Sequence, residues 1–157
     1  TCALPISNNY SVELTMRDIL SYKLTDDSLL IDTGSPHYVK KVKNLDNIDI
    51  VKEGANIRYD KTISEDGVNV DFLLNKDDKI YIRTYERGVE NETLACGTGV
   101  TASAIAASLW YGGDNIDIYT QIAKLNVRFN KEKNTFKNVV LSGPATHVFD
   151  GMFIFAS

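Results

Sequence analysis

Apolar and polar residues alternate in short runs along most of the chain, and turn-forming residues interrupt them every few positions, a pattern that predicts β-structure. Val12-Glu13-Leu14-Thr15-Met16 alternates strictly, and Leu29-Leu30-Ile31-Asp32 and Tyr38-Val39-Lys40-Lys41-Val42 flank Gly34-Ser35-Pro36-His37. Val68 to Leu74 meets Ile80 to Tyr85 across Asn75-Lys76-Asp77-Asp78, which reads as a hairpin. Ile116 to Ile122, Leu125 to Phe129, Val139 to Leu141 and Val148 to Phe155 read as further extended segments, with Asn130 to Asn138 as a charged connection. The pattern predicts about eight strands.

Two segments depart from this period. Within Ile48 to Tyr59, the residues Ile50, Val51, Ile57 and Tyr59 fit one face of a short helix, although Gly54 weakens it. Gly97 to Tyr111 is more informative. Val100, Ala102, Ala104, Ile105, Ala106, Ala107, Leu109 and Trp110 surround that helix on every side, with only Thr101, Ser103 and Ser108 as small polar interruptions. A helix with no charged face must be enclosed, and the simplest enclosure is a curved sheet wrapped around it. Gly112-Gly113 then ends it. The predicted fold class is α+β (α/β), with no repeat or linker dividing the chain.

Composition narrows the partners. The chain has 157 residues, 43% apolar and 24% charged, as expected of one globular domain. Seventeen Lys plus Arg against twenty-one Asp plus Glu give a net charge of -4, so no positive surplus is available for phosphates and no nucleic-acid partner is expected. The longest uncharged run, Thr93 to Gly113, is broken by Gly97 and Gly99 and rich in Ala, Ser and Thr, so no membrane partner is expected either. Cys2, Cys96, His37 and His147 show no metal-ligand spacing and no disulfide framework, which points to a reducing, cytoplasmic setting. Thr1 to Asn9 has neither the basic start nor the apolar run of a signal peptide, and no initiator Met is present, so the natural N-terminus is expected to lie upstream.

The chemistry concentrates between Tyr85 and Gly99. A cysteine placed just before Gly97-Thr98-Gly99 faces unpaired backbone N–H groups and the positive end of a helix dipole, two features that favour a thiolate. The flanking glycines let those N–H groups approach a bound anion such as a substrate carboxylate. Each residue also has a plainer reading. Cys96 fits a small buried hydrophobe, Glu86 and Arg87 a solvated pair at a strand end, and His37 a satisfied turn histidine.

Glu86-Arg87-Gly88 followed by Glu92-Thr93-Leu94-Ala95-Cys96-Gly97-Thr98-Gly99 resembles the second cysteine motif of the diaminopimelate epimerase family, pyridoxal-independent enzymes of lysine and peptidoglycan precursor synthesis. Asp32-Thr33-Gly34-Ser35-Pro36-His37, Gly67-Val68-Asn69-Val70-Asp71-Phe72, Leu141-Ser142-Gly143-Pro144-Ala145 and Val148-Phe149-Asp150-Gly151 keep the family's order. The resemblance implies two pseudo-symmetric halves, each a curved mixed β-sheet barrel around a central buried helix, with the active site between them and one cysteine from each. Only the C-terminal catalytic half is covered, by residues 10–157, and residues 1–9 read as a truncation edge or junction. Cys2 does not replace the cysteine of the N-terminal half, because Ala3-Leu4-Pro5 offers no glycine-flanked cradle.

The implied reaction interconverts LL- and meso-diaminopimelate by two-thiol proton transfer at the α-carbon, with no cofactor and no metal. By the same resemblance Cys96 is one acid/base, assisted by Glu86, and His37 matches the histidine beside the other cysteine. Gly97 and Thr98 present amides to the reacting carboxylate, while Arg87 and Asn69 contact the far amino-acid end. Ser35 stands where many members carry an Asn that binds that end, and its shorter side chain weakens a direct contact. Val89-Glu90-Asn91 is one residue longer than the common spacing. The implied partners are diaminopimelate and the N-terminal half, without which the fragment is expected to be inactive, and the exposed docking face leaves a homodimer open. The alternatives are a sister cofactor-independent racemase of the proline racemase type, a cysteine hydrolase, and a non-catalytic binding domain of the same fold.

Overall fold

In a computed structural model, which describes residues 11–146 and 151–153, the alternating runs form ten strands. They are β1 (Ser11–Thr15), β2 (Tyr22–Leu24), β3 (Ser28–Asp32), β4 (Pro36–Lys41), β5 (Asn69–Lys76), β6 (Lys79–Glu86), β7 (Asn91–Thr93), β8 (Asn115–Tyr119), β9 (Lys124–Glu132) and β10 (Thr135–Pro144). Helix α1 (Ile50–Arg58) lies between β4 and β5, and α2 (Gly97–Tyr111) between β7 and β8. Neither is long and apolar enough to cross a membrane.

The strands make one mixed sheet in the order β1-β10-β9-β8-β6-β5-β4-β3-β2, with β7 pairing β6. Its parallel pairs are β4 with β5 and β6 with β8. A parallel pair needs a crossover, and α1 and α2 supply them. The outer strands approach each other, because the link from β1 to β2 runs beside β10. Ile19 and Phe136 exchange backbone hydrogen bonds of 2.8 and 2.9 Å there, and the Tyr22 ring lies 5.9 Å from that of Phe136.

Helix α2 occupies the hollow of this sheet and packs against β3, β4, β5, β6, β8 and β9. Every residue from Gly99 to Ser108 is buried. Around them lie Leu29, Val39, Leu73, Ile82, Ile118, Val127 and Phe136, so the enclosure predicted from the uncharged helix is the one observed. The run of alanines lets strands on several sides approach one helix closely. On the opposite face of β5 and β6, α1 covers a second cluster of Leu45, Ile50, Val68, Val70, Phe72 and Tyr85. The central strand β5 is therefore covered on both faces, which makes its apolar content nearly continuous.

The helix α1 starts where the Asp49 carboxylate accepts the Lys52 N–H at 3.1 Å. Gly54, unfavourable for a helix by propensity, is required by packing: a Cβ there would lie 2.5 Å from Tyr85 Cβ. Gly54→Ala should therefore destabilise the fold by about 1–3 kcal/mol, seen as a lower urea midpoint, despite alanine's better helix propensity.

Two readings of the chain need correction. Asn130 to Asn138 is not a loose connection but the tip of a hairpin, where β9 extends to Glu132 and β10 begins at Thr135. Its residues are largely exposed and polar, so apolar alternation is missing there, and Lys133 turns the chain at a φ of 52°. The three-residue strands β2 and β7 are too short to show a period. Residues 151–153 of the Val148 to Phe155 segment lie outside any strand, and its other residues, like Cys2 and His147, fall outside the described ones.

Candidate active site

Cys96 sits at the N-cap of α2 in extended conformation (φ -127°, ψ 114°), half-buried, and its carbonyl accepts the Val100 N–H at 2.8 Å. The amides of Gly97, Thr98 and Gly99 precede the first intrahelical donor, so the helix itself offers them no acceptor. The sulfur is thus not sealed within packed hydrocarbon. Its polar neighbours are the Thr98 hydroxyl, at 3.3 Å, and the His37 imidazole.

Beneath the helix start lies a buried polar chain. His37 of β4 and Asp71 of β5 have fully buried side chains, with Nδ1 2.7 Å from Oδ2. The other Asp71 oxygen accepts the Thr84 hydroxyl at 2.7 Å, and His37 Nε2 lies 2.9 Å from Thr98 Oγ1 and 3.1 Å from Ser35 Oγ. Sheet register explains the meeting. His37 pairs with Asn69 and Val39 with Asp71 across the parallel β4–β5 ladder, while Thr84 of β6 stands directly opposite Asp71. Gly99 makes room above them, since a Cβ there would collide with Asp71 Oδ1 and lie 3.2 Å from His37 Cε1.

The electrostatics follow from this geometry. Burial acts to lower the His37 pKa, but the Asp71 charge, the hydrogen bond to it and the adjoining Cys96 sulfur outweigh burial and raise it to about 9. At neutral pH His37 is therefore an imidazolium, donating from Nδ1 to Asp71 and from Nε2 towards the Thr98 and Ser35 hydroxyls. Thr33 fixes the helix start from the other side by donating its hydroxyl to the Thr98 carbonyl at 2.8 Å.

Three further predicted residues, Ser35, Asn69 and Arg87, gather beside this chain. Asn69, 4% exposed, donates from its amide to Ser35 Oγ at 3.1 Å and to the Pro36 carbonyl at 3.0 Å, and its oxygen accepts the Arg87 N–H at 2.9 Å. Ser35, His37, Asn69 and the Arg87 backbone are thereby joined. The Arg87 guanidinium is half-buried and reaches the Gly67 carbonyl at 3.4 Å. The turn that carries it is anchored by Glu90, at a φ of 57°, whose carboxylate accepts from the Gly88 N–H, the Tyr85 hydroxyl and Arg58 at 3.1, 3.1 and 3.2 Å. The Gly88 amide leads the interactions that hold the Glu90 carboxyl below the usual range. Glu86 ends β6 half-buried, and among the described residues no hydrogen bond links its carboxylate to Cys96.

Sequence alone assigns no role to Asp71, Thr84 or Thr33. A signal for Asp71 was present: Asn69 and Asp71 are two residues apart in an otherwise apolar run, so both project from one face of a buried strand.

Fold and site together define a sheet-enclosed helix whose amide-rich start can hold an anion beside a thiol backed by a buried ion pair. The diaminopimelate epimerase family profile matches residues 29–148. Diaminopimelate epimerase from Flavobacterium psychrophilum is 43% identical over 148 residues, covering 92% of this chain and 58% of that protein. The Chlorobaculum tepidum enzyme of the same name is 44% identical over 126 residues, covering 77% and 48%. Among solved structures, a Bacillus anthracis phenazine biosynthesis protein of the PhzF family aligns with a TM-score of 0.48 at 15% identity, covering 78% of this chain and 39% of that one. The chain belongs to the diaminopimelate epimerase family, and it spans about half the length of the curated relatives it matches.

Proposed function

We propose that this chain supplies one of the two thiols of an epimerase that interconverts LL- and meso-diaminopimelate. Inverting an α-carbon requires removal of a proton from one face and return of another to the opposite face, and one side chain cannot easily do both. Cys96 serves one face. The second thiol comes from a further half of the protein, a reading supported by the greater length of the relatives. An α-carbon proton is very weakly acidic, so the charge that builds on the carboxylate must meet donors already in place. The Gly97 and Thr98 amides fill that role. Arg87 and Asn69, with Ser35 beside them, face the far amino-acid end of the substrate, and Glu86 assists the protonation of Cys96. His37 remains assigned to the neighbourhood of the second thiol as well. A reducing cytoplasm keeps such thiols free.

The observation that carries this reading is a half-buried cysteine at an amide-lined helix start, in a chain of this family. The test is to incubate the intact protein with LL-diaminopimelate in deuterium oxide. The meso isomer should form with deuterium at the inverted α-carbon, and residues 1–157 alone should give none. Inversion that retains the original hydrogen would defeat the two-thiol reading.

A further inference from the structure

The turn between β6 and β7 holds Arg87 with little packing. Val89 is 55% exposed and a Cβ at Gly88 would stand in open space, so apolar contact does not fix the turn's shape. Its backbone is nevertheless unusual, because Gly88 and Glu90 take φ values of 93° and 57°, the second uncommon for a residue other than glycine. The Glu90 side chain offsets that cost. One carboxylate oxygen accepts the Gly88 N–H at 3.1 Å and the Arg58 guanidinium at 3.2 Å, and the other accepts the Tyr85 hydroxyl at 3.1 Å. The Tyr59 hydroxyl adds a further hydrogen bond. Arg87 is thereby pinned on both sides: its own N–H rests on Asn69 Oδ1 at 2.9 Å, and the N–H that follows it rests on Glu90. Arg58 closes the circuit. From the last turn of α1 it donates to the Asp66 carbonyl at 3.2 Å, and the adjoining Gly67 carbonyl accepts the Arg87 guanidinium at 3.4 Å.

We propose that Glu90 is a positioning residue: its carboxylate ties the turn to Arg58 of α1 and so holds the Arg87 guanidinium where it can meet the far carboxylate of the substrate. This rests on the far-end role of Arg87 above. Two arginines approach the same strand entry at Asp66 and Gly67, and they are partnered differently. Arg58 takes up the Glu90 charge, while among the described residues no carboxylate pairs with Arg87, whose charge is left for an incoming anion. Contacts to the far end do not change as the α-carbon inverts, so misplacing Arg87 weakens ground state and transition state alike. The effect of Glu90 therefore falls on binding and spares the proton transfers.

The test measures KM and kcat for LL-diaminopimelate with the intact protein. Glu90→Gly keeps the turn's backbone, because glycine enters the left-handed region freely, and removes only the carboxylate. It should raise KM about ten-fold, as loss of a charge-assisted contact does, with kcat within about two-fold of the original. Glu90→Gln keeps an acceptor for the Gly88 N–H without the charge that holds Arg58, and should raise KM about three-fold. Val89→Ala alters an exposed side chain of the same turn and should leave both constants within about two-fold. A purely structural role gives the opposite split, since losing folded protein lowers kcat and leaves KM alone. An unmoved KM in Glu90→Gly, a fall confined to kcat, or an equal rise in Val89→Ala would each overturn the proposal. If Glu90→Gly does not fold, Glu90→Gln decides. An intact protein that fails to turn over diaminopimelate would sink the epimerase reading and this inference together, whereas normal turnover with an unmoved KM sinks the inference alone.

Discussion

Replacing Cys96 by alanine should lower interconversion of diaminopimelate isomers by the intact protein about a thousandfold, while substrate affinity changes little. The two effects separate because different atoms produce them. In the proposed reading the carboxylate is held by backbone amides of Gly97 and Thr98, which any residue at position 96 leaves in place. In the same reading, proton transfer on one face requires the sulfur. Cys96 is half-buried and lies outside both apolar clusters, so its loss leaves no cavity in the core. Cys96→Ser should be nearly as inactive as Cys96→Ala, because a hydroxyl is a far weaker acid than a thiol and cannot serve as base at neutral pH. Turnover followed by proton NMR and binding followed by calorimetry check the split. More than about a tenth of the original turnover in Cys96→Ala would move the acid/base group elsewhere.

What could be read from the chain depended on whether the relevant force acts locally. The helix α2 was legible because an uncharged circumference is a property of consecutive residues, and burial is the one outcome that satisfies it. The β9–β10 hairpin tip was not, because strand pairing there is set by backbone hydrogen bonds between polar, exposed residues that carry no apolar period. Gly54 argued against a helix locally, and only the Tyr85 side chain across the interface explains it. The site divides in the same way. The cysteine and glycines that create the amide cradle are adjacent in sequence, so position 96 was recognisable at once. The link from Cys96 through Thr98 and His37 to Asp71 and Thr84 joins three strands to a helix, and no spacing along the chain encodes it. Parallel register between β4 and β5 decides that Asp71, rather than another acid, meets His37.

The same buried pair should make stability depend on pH in an identifiable window. His37 is raised from 6.5 to about 9 by interactions that win against burial, so the folded state binds its proton more tightly than the unfolded chain does. The stabilisation is fully present below pH 6.5, shrinks as pH climbs through the window and is lost once pH passes about 9. The shift corresponds to a loss on the order of 3 kcal/mol across that range. Asp71 from β5 and Cys96 from the α2 cap are the ionisable groups that face the imidazole, and Ser35, Asn69 and Thr98 carry no charge. Urea midpoints of the intact protein, measured at intervals from pH 6 to 9.5, should fall accordingly. His37→Gln combined with Asp71→Asn should flatten that curve, because neither state then gains or loses a proton at these positions. Asp71→Ala alone should be the more damaging change, about 3–5 kcal/mol at pH 6, since it strands a cation in the interior where the double variant strands none. A wild-type curve as flat as that of the double variant would mean that the folded chain holds the His37 proton no more tightly than the unfolded one, and the raised pKa would be wrong.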